Sequence, residues 1–61
     1  MGEAEPSPAL RALIHRVRGY AFLQLRRRDE AASEFEESIK AARSASALYE
    51  LALSLRAYEA L

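Results

Sequence analysis

The chain contains no cysteine, only two glycines and two prolines, and a single histidine among its 61 residues. Without thiols there is neither a disulfide framework nor a thiolate metal site, so two common reinforcements of a very small domain are missing. With so few glycines there is no glycine-rich phosphate loop. No apolar run approaches the roughly 20 residues that span a bilayer, and the opening "MGEAEPSP" lacks the basic and apolar regions of a signal peptide. The expected setting is therefore cytoplasmic, with no membrane partner. A chain this short supports one domain with a thin core.

What is present is charge, arranged unevenly. Nine basic and nine acidic residues cancel, yet residues 10–28 hold six arginines and no acid, while residues 29–37 hold five acids and no base. A balanced dipole of this kind argues against nucleic-acid binding through overall basicity. Arginine greatly outnumbers lysine, a usage associated with GC-rich bacterial genomes.

The hydrophobic pattern predicts an all-α chain. Residues 1–7 read as a flexible leader, and 8–61 as one domain of three antiparallel helices at about 8–25, 29–43 and 46–61. Ser7 is placed to cap the first helix and Pro8 suits its first turn. Leu10, Leu13, Ile14, Val17 and Ala21 recur at steps of three and four and form its expected core face. Charge switches sign between Arg28 and Asp29, where cations suit a helix end and acids the next start, so Asp29 is the expected cap. The second helix aligns Ala31, Phe35, Ser38, Ile39 and Ala42 on one face, with Glu36 and Lys40 spaced as an ion pair. Ser44 and Ser46 favour a break, with the third helix starting near Ser46. Its stripe Leu48, Leu51, Leu55 and Tyr58 is the expected internal face. A second stripe of Tyr49, Leu53, Ala57 and Ala60 remains uncovered and is the expected interface of a homodimer or protein complex. In a longer array the same stripe is a surface cut by truncation.

Residues 8–23 align with 46–61 at a spacing of 38, with six identities that include Leu13/Leu51, Arg18/Arg56, Tyr20/Tyr58 and Leu23/Leu61, and with Gly19 matched by Ala57. A helix pair inside such a spacing marks helical repeats, whose units bury their faces by stacking. Gly19, Phe22, Ala31, Phe35 and Ser38 stand at the spacing of the packing residues of the tetratricopeptide repeat, which the chain resembles over roughly residues 12–61. The stretch "LQLRRRDEAASEFEESIKAARSAS" is similar to degenerate versions at the C-termini of large bacterial ATP-binding transcription regulators and nucleotide cyclase proteins. The resemblance implies helix A, helix B and a second helix A, acting as a non-catalytic interaction module. It also implies a peptide groove lined by Arg16, Tyr20, Leu23 and Gln24, with Tyr58 as a counterpart from the second copy. Arg16 holds the place where some members bind a peptide carboxylate. His15, Arg18, Arg26 and Arg43 depart from the pattern. In a left-handed turn Arg26 would cost about 1 kcal/mol relative to glycine, which predicts a different turn shape.

Little in the sequence points to catalysis or to a cofactor. His15 has Arg11, Ala12, Arg18 and Gly19 as helical neighbours and no acid to orient it as a base. Glu30, Glu34 and Glu37 share a helix face but lack the histidine spacing of a carboxylate-bridged metal site, so they read as a solvated face. Neither enzyme activity nor a metal is expected. Arg26, Arg27 and Arg28 could contact nucleic-acid phosphates, a partner class that the simpler role of matching the helix end disfavours.

Overall fold

The computed structural model describes residues 7–61. It is all-α, with α1 at Pro8–Gln24, α2 at Arg28–Ser44 and α3 at Leu48–Glu59, and no strand among the described residues. Residues 1–6 of the expected leader lie outside the described ones. Contacts between consecutive helices pair rising positions on one with falling positions on the next. Ala12 meets Ser38 while His15 meets Glu34, and Ser38 meets Ser54 while Glu36 meets Tyr58. That is the order expected of antiparallel neighbours.

The start of α1 follows local chemistry. The Leu10 N–H donates to Ser7 Oγ at 3.1 Å, and Pro8 fills the first turn, where its missing N–H costs nothing. The other two starts differ from expectation. Arg27 and Ala47 occupy the N-cap positions, and neither supplies a side-chain cap. Asp29 sits inside the first turn of α2, where its charge still faces the positive end of the helix dipole. Ser46 is displaced from a capping role because it closes the previous helix.

Both connections share one geometry. After α1, Arg26 N–H bonds to Leu23 C=O at 2.9 Å and Arg27 N–H to Phe22 C=O at 2.9 Å. After α2, Ser46 N–H bonds to Arg43 C=O at 3.1 Å and Ala47 N–H to Ala42 C=O at 3.0 Å. These paired bonds satisfy the orphan carbonyls of a helix end and place one residue in the left-handed region. Glycine usually takes that place, yet here Arg26 has φ 61° and Ser46 φ 53°. The turn thus keeps the shape that the arginine disfavours. Part of the compensation is local, since the Arg27 guanidinium lies 5.4 Å from the centroid of the Phe22 ring.

The core is built mainly from small residues. Ala12, Ala41 and Ala42 form one buried cluster with Leu51 against it, and Ala31, Phe35 and Ala57 form another, flanked by Phe22, Leu23 and Leu61. Phe35 is the largest fully buried side chain. Gly19 makes room for it: a Cβ there would lie 2.4 Å from a Phe35 ring carbon. Tyr20 meets the same ring edge-on, with centroids 5.2 Å apart. The paired positions Gly19 and Ala57, like Leu23 and Leu61, therefore converge on one aromatic side chain of α2.

Two core assignments from periodicity are corrected. On α1 the buried residues are Ala12, Arg16 and Gly19, whereas Leu10, Leu13, Ile14, Val17 and Ala21 face solvent. At about 100° per residue the two sets lie on opposite sides of the helix. On α3 the buried residues are Ser54 and Ala57, whereas Leu48 is 77% exposed. The face of α2 is as expected at Ala31, Phe35, Ser38 and Ala42, with Ala41 added.

Replacing Arg26 by glycine removes the left-handed penalty and should stabilise the fold by about 0.5–1 kcal/mol. In a domain of this size that raises the melting temperature by roughly 2–8 °C. Ser46→Gly should act in the same direction. Calorimetric melting of the two variants checks this, and an unchanged or lower midpoint in both contradicts the turn geometry.

Candidate interaction surface

A chain of polar side chains crosses the interior between the two apolar clusters. Arg16 from α1, Ser38 from α2 and Ser54 from α3 each fall, along their helix, between a residue of one cluster and a residue of the other. The Ser38 hydroxyl donates to the Ala12 carbonyl at 2.5 Å, which leaves Ser38 Oγ to accept from Ser54 at 2.6 Å. Ser54 Oγ in turn accepts from Arg16 Nη1 at 3.5 Å, while the same nitrogen donates to Glu50 at 2.7 Å. Proton direction is therefore set along the whole path, from Arg16 through Ser54 and Ser38 to a backbone carbonyl of α1. Among the described residues no buried side-chain nitrogen or oxygen lacks a partner. Such a network is tolerable in a core only when every member is satisfied.

This arrangement removes Arg16 from the peptide groove suggested by resemblance. Its side chain is 10% exposed and already paired with Glu50. Leu23 is half-buried against the Phe35 cluster. Tyr20 and Gln24 remain exposed, and Tyr58 is partly so. The Tyr58 hydroxyl donates to Glu36 at 2.9 Å. That hydrogen bond, then the Glu36 charge, then slight desolvation hold its pKa above the ordinary tyrosine value. Glu36 is thus engaged across helices, and Lys40 pairs with Glu37 at 3.3 Å instead of with Glu36.

The expected interface residues separate. Tyr49 is 74% exposed, Leu53 is half-buried and Ala60 is exposed. Ala57 is 3% exposed and packs in the Phe35 cluster, so it belongs to the interior. The longer run of exposed large apolar side chains lies elsewhere, along α1: Leu10, Leu13, Ile14, Val17 and Tyr20, continued by Leu25 in the turn. Val17, near its middle, is 57% exposed.

His15 gains an acid that helical spacing does not reveal. Its Nδ1 lies 2.7 Å from Glu34 on α2, and Arg18 reaches the other oxygen of the same carboxylate at 3.4 Å. No hydroxyl side chain hydrogen-bonds to His15 among the described residues. The histidine also lines an open groove of about 260 Å³ with Arg11, Glu37, Lys40, Ala41 and Ser44. Among the described residues no three metal-binding side chains gather, and no helix is long and apolar enough to cross a membrane. Of the arginine triplet, Arg27 is bonded to Glu30 at 2.5 Å and stacked on Phe22, while Arg26 and Arg28 are exposed. Comparisons of the chain with protein-family models, with curated proteins and with solved structures find no match.

If Ser38 and Ser54 share one bond in a connected path, Ser38→Ala and Ser54→Ala should each destabilise by about 1–3 kcal/mol, since each leaves a buried polar group unpaired. The double variant should lose less than the two single losses added, by 0.5 kcal/mol or more. Urea unfolding of the four proteins checks this, and simple additivity contradicts the shared bond.

Proposed function

We propose that the chain is a non-catalytic, cytoplasmic interaction module of the tetratricopeptide kind, and that it binds another protein surface through the outer side of α1. The observation that supports this reading is the inversion of α1. Its aliphatic stripe is turned away from α2 and α3, while alanine, glycine and a paired arginine are turned inward. Half-wet leucine and valine side chains forgo on the order of 1 kcal/mol each relative to full burial. A contiguous row of them is the usual mark of a surface that another molecule covers.

A second reading is self-association through the outer side of α3, and the exposure of Leu48 and Tyr49 favours it. Leu53 and Ala60 flank that patch in sequence; Ala57 does not contribute to it. A nucleic-acid role for Arg26, Arg27 and Arg28 is weaker. Arg27 is already held by Glu30 and Phe22, and Arg16 is internal.

One experiment separates these readings. The variant carrying Leu10→Gln, Leu13→Gln and Val17→Gln should melt within about 0.5 kcal/mol of the parent, because solvent-facing substitutions cost little. Loss of cooperative unfolding would instead make the stripe part of the fold and remove the docking face. In the same series, sedimentation at tens of micromolar protein reads self-association. A dimer lost on Tyr49→Glu supports α3 as the self-contact, and a monomer throughout removes that second reading.

A further inference from the structure

The apolar face of α1 is bordered by charge of one sign. Residues 8–24 contain Arg11, His15, Arg16 and Arg18 and no acid. Arg11 and Arg18 lie about a quarter turn from the middle of the aliphatic stripe, and the turn that continues the helix adds exposed Leu25 and Arg26. Two carboxylates of α2 lie near this border and both are engaged: Glu34, 16% exposed, is shared by His15 and Arg18, and Glu37, which lines a groove with Arg11, pairs with Lys40.

A second copy of this chain is a poor occupant. In a twofold antiparallel pairing of α1 with itself, Leu10 faces Val17 and Leu13 faces Ile14 of the other copy. The same border of each helix then meets, which brings Arg18 beside the other copy's Arg11, an apposition of like charges. The rest of the chain offers no better complement. The solvent side of α2 carries Asp29, Glu36 and Glu37 alongside Arg28, Lys40 and Arg43, mixed in charge and without an apolar row. The exposed apolar pair Leu48 and Tyr49 of α3 is accompanied by Arg56 and Glu59, whose opposite charges leave that face without a net acid.

We infer that the occupant of the α1 face is an amphipathic helix of a different protein, with aliphatic residues at steps of three and four and with aspartate or glutamate on its flanks. This rests on the docking role proposed for α1 and adds the chemistry of the partner. The aliphatic row supplies apolar burial, and the flanking acids meet Arg11, Arg18 and Arg26 at the rim. Charge at a rim chiefly sets selectivity and encounter rate, so the acids decide which apolar helix is accepted.

The test uses two synthetic helical peptides with the same leucine row, one flanked by glutamate and one by lysine, titrated into the full chain and read by fluorescence anisotropy. The glutamate peptide should bind about tenfold or more tightly than the lysine peptide. That ratio should shrink in high salt, where exposed charges are screened. Binding should fall by a similar factor in Val17→Asp, with helicity retained by circular dichroism; Val17→Gln serves if the aspartate variant unfolds. Equal binding of both peptides overturns the charge preference while leaving the docking face standing. Binding indifferent to Val17 overturns the face itself. No binding of either peptide also overturns the inference, and a dimer lost in the Leu10, Leu13 and Val17 variant would then name the second copy as the occupant.

Discussion

Burial of Arg16 fixes which way α1 faces, and most of the remaining architecture depends on that. Removing a guanidinium from water is costly unless its charge and its hydrogen-bond donors are met. Glu50 meets the charge at 2.7 Å and Ser54 accepts from the same nitrogen, both from α3. Once the arginine points inward, residues four before and three after it do so too, which brings in Ala12 and Gly19. Those two are the residues that the neighbours require. Ala12 offers its carbonyl to Ser38, and Gly19 leaves the space that the Phe35 ring fills. The aliphatic stripe on the other side of α1 is left outward as a geometric consequence.

Close approach of three helices around a polar path has a cost in apolar burial. Among the described residues Phe35 is the one large side chain fully withdrawn from solvent, with alanines making up most of the rest of the core. Well-directed hydrogen bonds offset part of this, because in a low-dielectric interior they are stronger and specify one alignment of the helices. The two non-glycine turns work against stability, holding Arg26 and Ser46 at positive φ. Their shared hydrogen-bond pattern nevertheless gives both helix ends the same closure. A small domain of this kind lies near the lower end of protein stability, and coverage of an outer apolar face would add to it by mass action.

The face of α2 was legible in the sequence because that helix is enclosed on both sides by its neighbours. Its apolar and small residues therefore face α1 and α3, and its charges other than Glu34 face water, as the amphipathic rule assumes. The rule misleads for α1, where the aliphatic stripe serves the outside and the inward side carries an arginine. Hydropathy scores that side as polar, although Gly19 and its repeat partner Ala57 did mark the close-packed line. On α3 the same effect exchanges Ser54 for Leu48. Long-range partners were illegible for a different reason: Glu34 meets His15 across helices, and no spacing within α1 reports it. The turn at Arg26 keeps its left-handed residue because the paired carbonyl bonds outweigh the intrinsic penalty on arginine.

The orientation of α1 can be measured without reference to any partner, since the chain has no native cysteine to interfere. Single cysteines at Val17 and Ala12 report opposite sides of the helix through their reaction with a thiol reagent under native conditions. With Arg16 turned inward, the cysteine at Val17 should react as fast as in the unfolded chain. The one at Ala12 should react only as fast as the domain opens. Protection at Val17 with free reaction at Ala12 would contradict the inward arginine, and with it the outward apolar face.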